Sequence, residues 1–417
     1  MSSKSSNTQK SFKQRIVSEN LNLVESQVSQ VYDEITHQLV SFQSVAPALF
    51  GSPVSYKISD KNIALNDVSV QILLSPVTGI TGGTGVRLTS GHGLYSRIEY
   101  KINGVIRDTA YGVSNHVLTQ IMNDNADRVI MNNACGNYAS TLQRTSMATT
   151  TSPYIIPLSS LFNTANYPIL TASHEIEIVV YLNSLADCVI LNGGTGTPVC
   201  SIISSNLLCR TTRMPQWLAE SRLTNMTAMP EDTIFHSVRT TQFTAQTGST
   251  NAIINLNVLS AASIAFIFFV VRDSNRQTGD GVTTYNKITS FSLRDATNVS
   301  ISGSQDITDA MAQNLSLFWS ESSYQAETSN GSVLSGLVQD TGANLYAFSH
   351  SSNIVSAVQR GRLLGSRKYA GNETLQVNFR TPLTATTVVD VYALTECVLR
   401  QSENLVMKHE ANELAPQ

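Results

Sequence analysis

The segment RIEYKINGVIRD, residues 97–108, limits what this chain can build. Ile98, Tyr100 and Ile102 alternate with Arg97, Glu99, Lys101 and Asn103. A period of two sends these sets to opposite faces of a β-strand, one buried and one solvated. Asn103-Gly104 then supplies the residue pair that tolerates positive φ at both centres of a tight hairpin turn. The same period recurs in DVSVQI (Val68, Val70, Ile72), HEIEIVVYL (Ile176, Ile178, Val180, Leu182) and ETLQVNF (Leu375, Val377, Phe379). The longest apolar run, Ile264 to Val271, is too short to cross a bilayer and reads as a strand buried on both faces.

A chain of 417 residues exceeds one ordinary core, so two domains are expected. Charged residues are only 14% of the chain, against about 25% in typical soluble proteins. Ser, Thr, Asn and Gln replace them, a composition suited to sheet surfaces and close-packed assemblies. The net charge of −3 gives no global attraction to nucleic acid. Cys135, Cys188, Cys200, Cys209 and Cys397 are odd in number and show no C-x-x-C spacing, which points to free thiols in a reducing compartment. The opening MSSKSSNTQKSFKQR has no apolar h-region, so no signal peptide is expected. The sequons at Asn225, Asn298, Asn314, Asn330 and Asn372 then read as products of composition.

Residues 1–45 are expected to form an arm and a helix. The arm carries Lys4, Lys10, Lys13 and Arg15 with no acid before Glu19. Leu21, Val24, Val28, Val31, Ile35, Leu39 and Phe42 recur at spacings of three and four, which predicts an amphipathic helix over 21–42. It can pack on its own domain or dock outward. Strand patterns fill 46–212 and 233–399, around a proline-containing linker at 213–232, with a polar tail over 400–417. Each half holds one helix midway. The first begins near Ser114 and carries Val117, Leu118, Ile121 and Met122. The second spans 306–319, with Asp306 as its cap and Ile307, Met311, Leu315 and Phe318 on one face. The expected fold class is all-β: two consecutive jelly-roll β-sandwiches of about eight strands each, with short inserted helices and an N-terminal amphipathic helix.

Catalytic signals are weak. QDTGA, residues 339–343, has the Asp-Thr-Gly-Ala of aspartic proteases, but Gln339 stands where an apolar residue belongs and no second Asp-Thr/Ser-Gly exists, so Asp340 reads as a turn residue. RDSNRQTGDG fails as a calcium loop, with Thr278 at the glycine position and Thr284 at the bidentate glutamate position. The Gly-rich GITGGTGVRLTSGHG lacks the Gly-Lys-Ser/Thr of a P-loop, and the seven histidines show no metal spacing. Arg360, Arg362, Arg367 and Lys368 gather in QRGRLLGSRKY, which reads as a solvated loop or a contact with a neighbour. No catalytic residue, metal site or cofactor is expected.

LYSRIEYKINGVIRD followed by a helix resembles the strand–turn–strand of viral double jelly-roll major capsid proteins of the polinton-like and nucleocytoplasmic large DNA virus lineage. YIIPLSSLF…YPILTASHEIEIVVYL resembles the same family through Pro157, Leu158, Leu161, Phe162, Pro168, Ile169, Glu175 and Glu177. The match is densest over 94–182; elsewhere it rests on element order and length. The resemblance implies a non-enzymatic structural role in the virion of an icosahedral DNA virus, assembled in the host cytoplasm or nucleus. It implies homotrimers of pseudo-hexameric outline that meet neighbouring capsomers, minor capsid proteins and penton proteins. The arm (Lys4, Lys10, Lys13, Arg15) would face an internal membrane or packaged genome, and the helix would act between molecules.

A β-sandwich carbohydrate-binding or adhesion protein, fibre- or lectin-like, is the alternative. Against it, Trp217 and Trp319 lie in no aromatic cluster able to stack sugars. A cupin-type enzyme would need a His/Glu metal cluster.

Overall fold

The computed structural model describes residues 36–304, 346–350 and 366–410, apart from 59, 61, 83–85, 123–124, 137–140, 159–160, 162–164, 166–168, 172–173, 192–193, 275–285, 287, 296, 298–299, 380 and 403–405. Its first half contains eight principal strands: β1 (Thr36–Gln43), β2 (Pro53–Ile58), β3 (Ile63–Leu74), β4 (Tyr95–Ile102), β5 (Val105–Tyr111), β6 (Ser152–Pro157), β7 (Ile176–Leu182) and β8 (Ile202–Arg213). They form two sheets of order β1-β8-β3-β6 and β2-β7-β4-β5. The second half repeats the plan with β9 (Glu231–Ala245), β10 (Asn251–Asn255), β11 (Ser263–Asp273), β12 (Ser290–Arg294), β13 (Ser300–Ser304), β14 (Tyr346–Ser349), β15 (Thr374–Asn378) and β16 (Thr387–Gln401). Its sheets run β9-β16-β11-β14 and β10-β15-β12-β13. The strand order is the same in both halves, and each is a jelly roll in which the first and last strands lie side by side.

The alternation that defines β4 explains its place. Ile98, Tyr100 and Ile102 are fully buried and face the opposite sheet's Val68, Val70 and Ile72 within one core. Asn103 and Gly104 adopt φ of 53° and 74°, and Ile102 pairs with Val105 across the two-residue turn. Burying side chains of this size stabilises the sandwich by roughly 1.5–3 kcal/mol each, before entropy is counted. In the second half, β11 and β16 carry Ile267, Phe269, Val271, Val389, Val391 and Ala393 into a separate core. Phe269 stacks on Tyr346 there, ring centroids 5.3 Å apart.

Several local expectations change. Thr36–Gln43 is not helix but strand β1, paired antiparallel with β8 from Thr36↔Arg213 to Gln43↔Asn206. Val40 and Phe42 alternate with exposed Leu39 and Ser41, and Phe42 packs against the first core. Sheet pairing there overrides the three-and-four spacing. Residues 21–35 of the expected helix lie outside the described residues.

The single helix expected after β5 is a run of three: α1 (Gly112–Met122), α2 (Asn125–Ala134) and α3 (Thr141–Thr149). Ser114 sits inside α1 rather than at its cap, and its Oγ donates to the Tyr111 carbonyl at 2.9 Å. Gly112 opens α1 where a Cβ would collide with the backbone carbonyls of His92 and Tyr95. Within the expected linker, Gln216–Ala228 forms α4. Within the expected tail, Val406–Glu410 forms a strand, β17, paired with the end of β16. The helix expected over 306–319 lies outside the described residues.

Candidate functional site

The described residue cluster nearest to a catalytic constellation is Cys135, His92, Asn115 and Tyr95, held where α1, α2 and the turn before β4 meet. Cys135 Sγ lies 3.6 Å from His92 Nε2, and His92 Nδ1 lies 3.4 Å from the Tyr95 hydroxyl. Asn115 Nδ2 donates to that hydroxyl at 2.8 Å. A cysteine nucleophile requires a stabilised thiolate, usually beside an imidazolium. Here burial acts against both ions: the Cys135 thiol is pushed up to about 12 and the His92 imidazole down to about 3. At neutral pH the pair is a thiol beside a neutral ring, sealed from solvent. Its members are 43 residues apart, so no sequence spacing announces it. Among the described residues, no group of three or more His, Cys, Asp or Glu is placed to hold a metal ion.

The surface is organised by charge pairs on the outer face of β2-β7-β4-β5. Lys57 pairs with Glu175 at 3.0 Å, and Lys101 lies 3.8 Å from both Glu99 and Glu177. Arg97 Nε donates to Glu99 at 3.1 Å while its guanidinium sits 4.0 Å above the Tyr181 ring. The Tyr181 hydroxyl donates to the second Glu99 oxygen at 3.0 Å. The alternation thus places Glu99 outward, yet its partners cover it to 7% exposure. In a chain with so few charges, these pairs tie three cations to three carboxylates on or beside one sheet face. Exposed pairs of this kind add little stability each.

The two halves meet at a seam. Asp108, on β5, is 1% exposed at its side chain. One carboxylate oxygen accepts the Leu161 backbone N–H at 2.9 Å; the other accepts the Ser237 hydroxyl of β9 at 2.5 Å. Lys408 of β17 donates to Ser237 Oγ at 2.8 Å and stands 3.8 Å from Asp108. His174, beside the Asn103 turn, hydrogen-bonds the backbone of Ser402. Phe235, Cys397, Leu399 and Val406 come from the second half but lie in the first half's core. These seam residues carried no sequence signal, because each looks like an ordinary strand residue until its partner across the chain is known.

Of the residues singled out in sequence, Leu39 is 73% exposed on β1 and Phe42 is half-buried beneath it. Lys4, Lys10, Lys13, Arg15, Leu21, Val24, Val28, Val31 and Ile35 lie outside the described residues, as do Asp340, Arg360 and Arg362. Arg367 and Lys368 form a short exposed strand against Ile264 and Ser263.

No protein-family profile and no curated protein matches this chain. Solved structures do. The PBCV-1 protein VP54 superposes with a TM-score of 0.65 at 14% identity, covering 90% of this chain and 97% of its own. The Faustovirus major capsid protein gives 0.63 at 8% identity, covering 88% and 90%. The mavirus major capsid protein gives 0.51 at 11% identity, covering 91% and 92%. Together with the repeated strand order, these similarities show that the chain has the double jelly-roll fold of viral major capsid proteins.

Proposed function

We propose that this chain is a major capsid protein, a non-enzymatic building block of an icosahedral DNA virus shell. The observation that carries the reading is the repetition of one eight-strand order in both halves, in a chain spanning nearly the full length of several major capsid proteins. Two similar sandwiches per chain let three chains close a ring of six, giving a trimer of pseudo-hexameric outline by cyclic symmetry. The low charge and the paired charges on the face of β2-β7-β4-β5 support close packing of such units against neighbouring capsomers, with minor capsid and penton proteins completing the shell. Its place is the virion, after assembly in the host cytoplasm or nucleus. The carbohydrate-binding alternative has no comparable structural support.

In this reading the arm with Lys4, Lys10, Lys13 and Arg15 approaches an anionic interior, lipid or packaged genome. Each cation near such a surface contributes on the order of 1 kcal/mol within a Debye length. The stripe of Leu21, Val24, Val28, Val31 and Ile35 acts between molecules. Because β1 belongs to the sheet, the deletion that isolates this role is 1–35. Electron microscopy tests the proposal. The full chain should give hexagonal-outlined particles or closed shells, and the 1–35 deletion should give folded particles that close poorly. Dispersed monomers from the full chain would overturn it.

A further inference from the structure

β17 belongs to the second half by hydrogen bonding and to the first half by its side chains. β11 pairs with β16 only as far as Ile264↔Thr395. Beyond that, β17 takes over on β16, from Cys397↔Glu410 to Gln401↔Val406. The second half's sheet is thus prolonged past its own sandwich by the start of β9, the end of β16 and β17. One face of this prolongation presents Phe235 and Ser237, Cys397 and Leu399, and Val406 and Lys408, each pair two residues apart on its strand. The apolar members are buried in the first half's core. The polar members, Ser237 and Lys408, meet the buried carboxylate of Asp108. Lys408 Nζ also lies 5.4 Å from the centroid of the Phe235 ring. Just before β17, Ser402 is held by His174 of the first half.

We infer that β17 is a clamp that fixes the two jelly rolls at one relative orientation. Without it, the end of β16 loses its hydrogen-bonded neighbour on one side. The first core loses Val406, and Asp108 keeps its Ser237 donor but loses the cation behind it. The two halves then remain joined mainly through α4 and through Phe235, Cys397 and Leu399, which stay in the first core. Its bearing on shell geometry rests on the capsid reading; the clamp itself does not.

The test is scanning calorimetry on the purified protein before shell assembly, comparing the full chain with a chain ending at Gln401. The full chain should unfold in one coupled transition and the shortened chain in two, with small-angle scattering showing a larger radius. A single transition at an unchanged temperature in the shortened chain would overturn the clamp. Should that chain prove insoluble, Val406→Ala and Lys408→Met in the full chain replace it. Amide exchange at Leu399 and Ser237 should quicken about tenfold in Val406→Ala, the loss expected for removing buried methyl groups. Exchange unchanged at both amides would equally refute the clamp. Coupled unfolding without any shell formation would uphold the clamp and count against the capsid reading.

Discussion

Replacing Asp108 by alanine should destabilise the protein far more than its position on an edge strand would imply. The carboxylate is 1% exposed and meets the Leu161 N–H at 2.9 Å, the Ser237 hydroxyl at 2.5 Å and Lys408 at 3.8 Å. Truncation leaves the Leu161 N–H without its acceptor in a buried position, which costs about 1–3 kcal/mol. Ser237 loses its acceptor but keeps the Lys408 donor, a loss of about 1 kcal/mol. Lys408 is 28% exposed and can turn to water, so its share is under about 1 kcal/mol. The sum is about 3 kcal/mol, several-fold above a typical surface substitution. Asp108→Asn keeps one oxygen for Leu161 and should lose about half as much, near 1–2 kcal/mol. Urea unfolding followed by circular dichroism measures both. An Asp108→Ala midpoint within error of wild type would show that the seam does not hold the halves together. An Asn variant weaker than the Ala variant would show that the Leu161 contact is misassigned.

Three further outcomes follow from the same geometry. Gly104→Ala meets open space at φ 74° and should lose only about 1–2 kcal/mol, the penalty of a left-handed backbone, whereas Gly112→Ala must displace two backbone carbonyls and should lower the melting temperature much further. With a disulfide-exchange reagent at pH 8, native protein should release the half-buried Cys200 first, with Cys135, Cys188, Cys209 and Cys397 reacting only on unfolding; early labelling of Cys135 would contradict its burial. His92 is held down to about 3, and His236 and His350 to about 4, by burial. These rings stay neutral when folded and gain protons when unfolded below pH 6.5, so their contribution is full above that pH and lost as pH falls toward 4. Unfolding near pH 5.5 should take up about three protons through these groups, measurable from the pH dependence of stability in His→Gln variants.

The fold was legible where burial and local chemistry agree. Strand β4, its Asn-Gly turn and the buried run of β11 follow from residue order alone. Legibility failed where partners distant in sequence decide. Thr36–Gln43 carries apolar residues compatible with either period, and only pairing with β8 selects the strand. Helix α4 hides because its buried positions include little more than Ala219 and Met226, too narrow a stripe to stand out. The segment VMKHE of β17 looks like polar tail because its role is visible only once Val406 meets the first core and Lys408 meets Asp108 and Ser237. The Cys135–His92 cluster is likewise created by tertiary contact. Its electrostatics, which oppose the thiolate, could not be read from residue types.

The claim on which the account turns is that one chain supplies two like sandwiches so that three chains can close a six-sandwich ring. Native mass determination of the purified full chain across a wide concentration range tests it most directly. The account predicts a trimer as the smallest stable species, persisting on dilution. A monomer at every accessible concentration would contradict it.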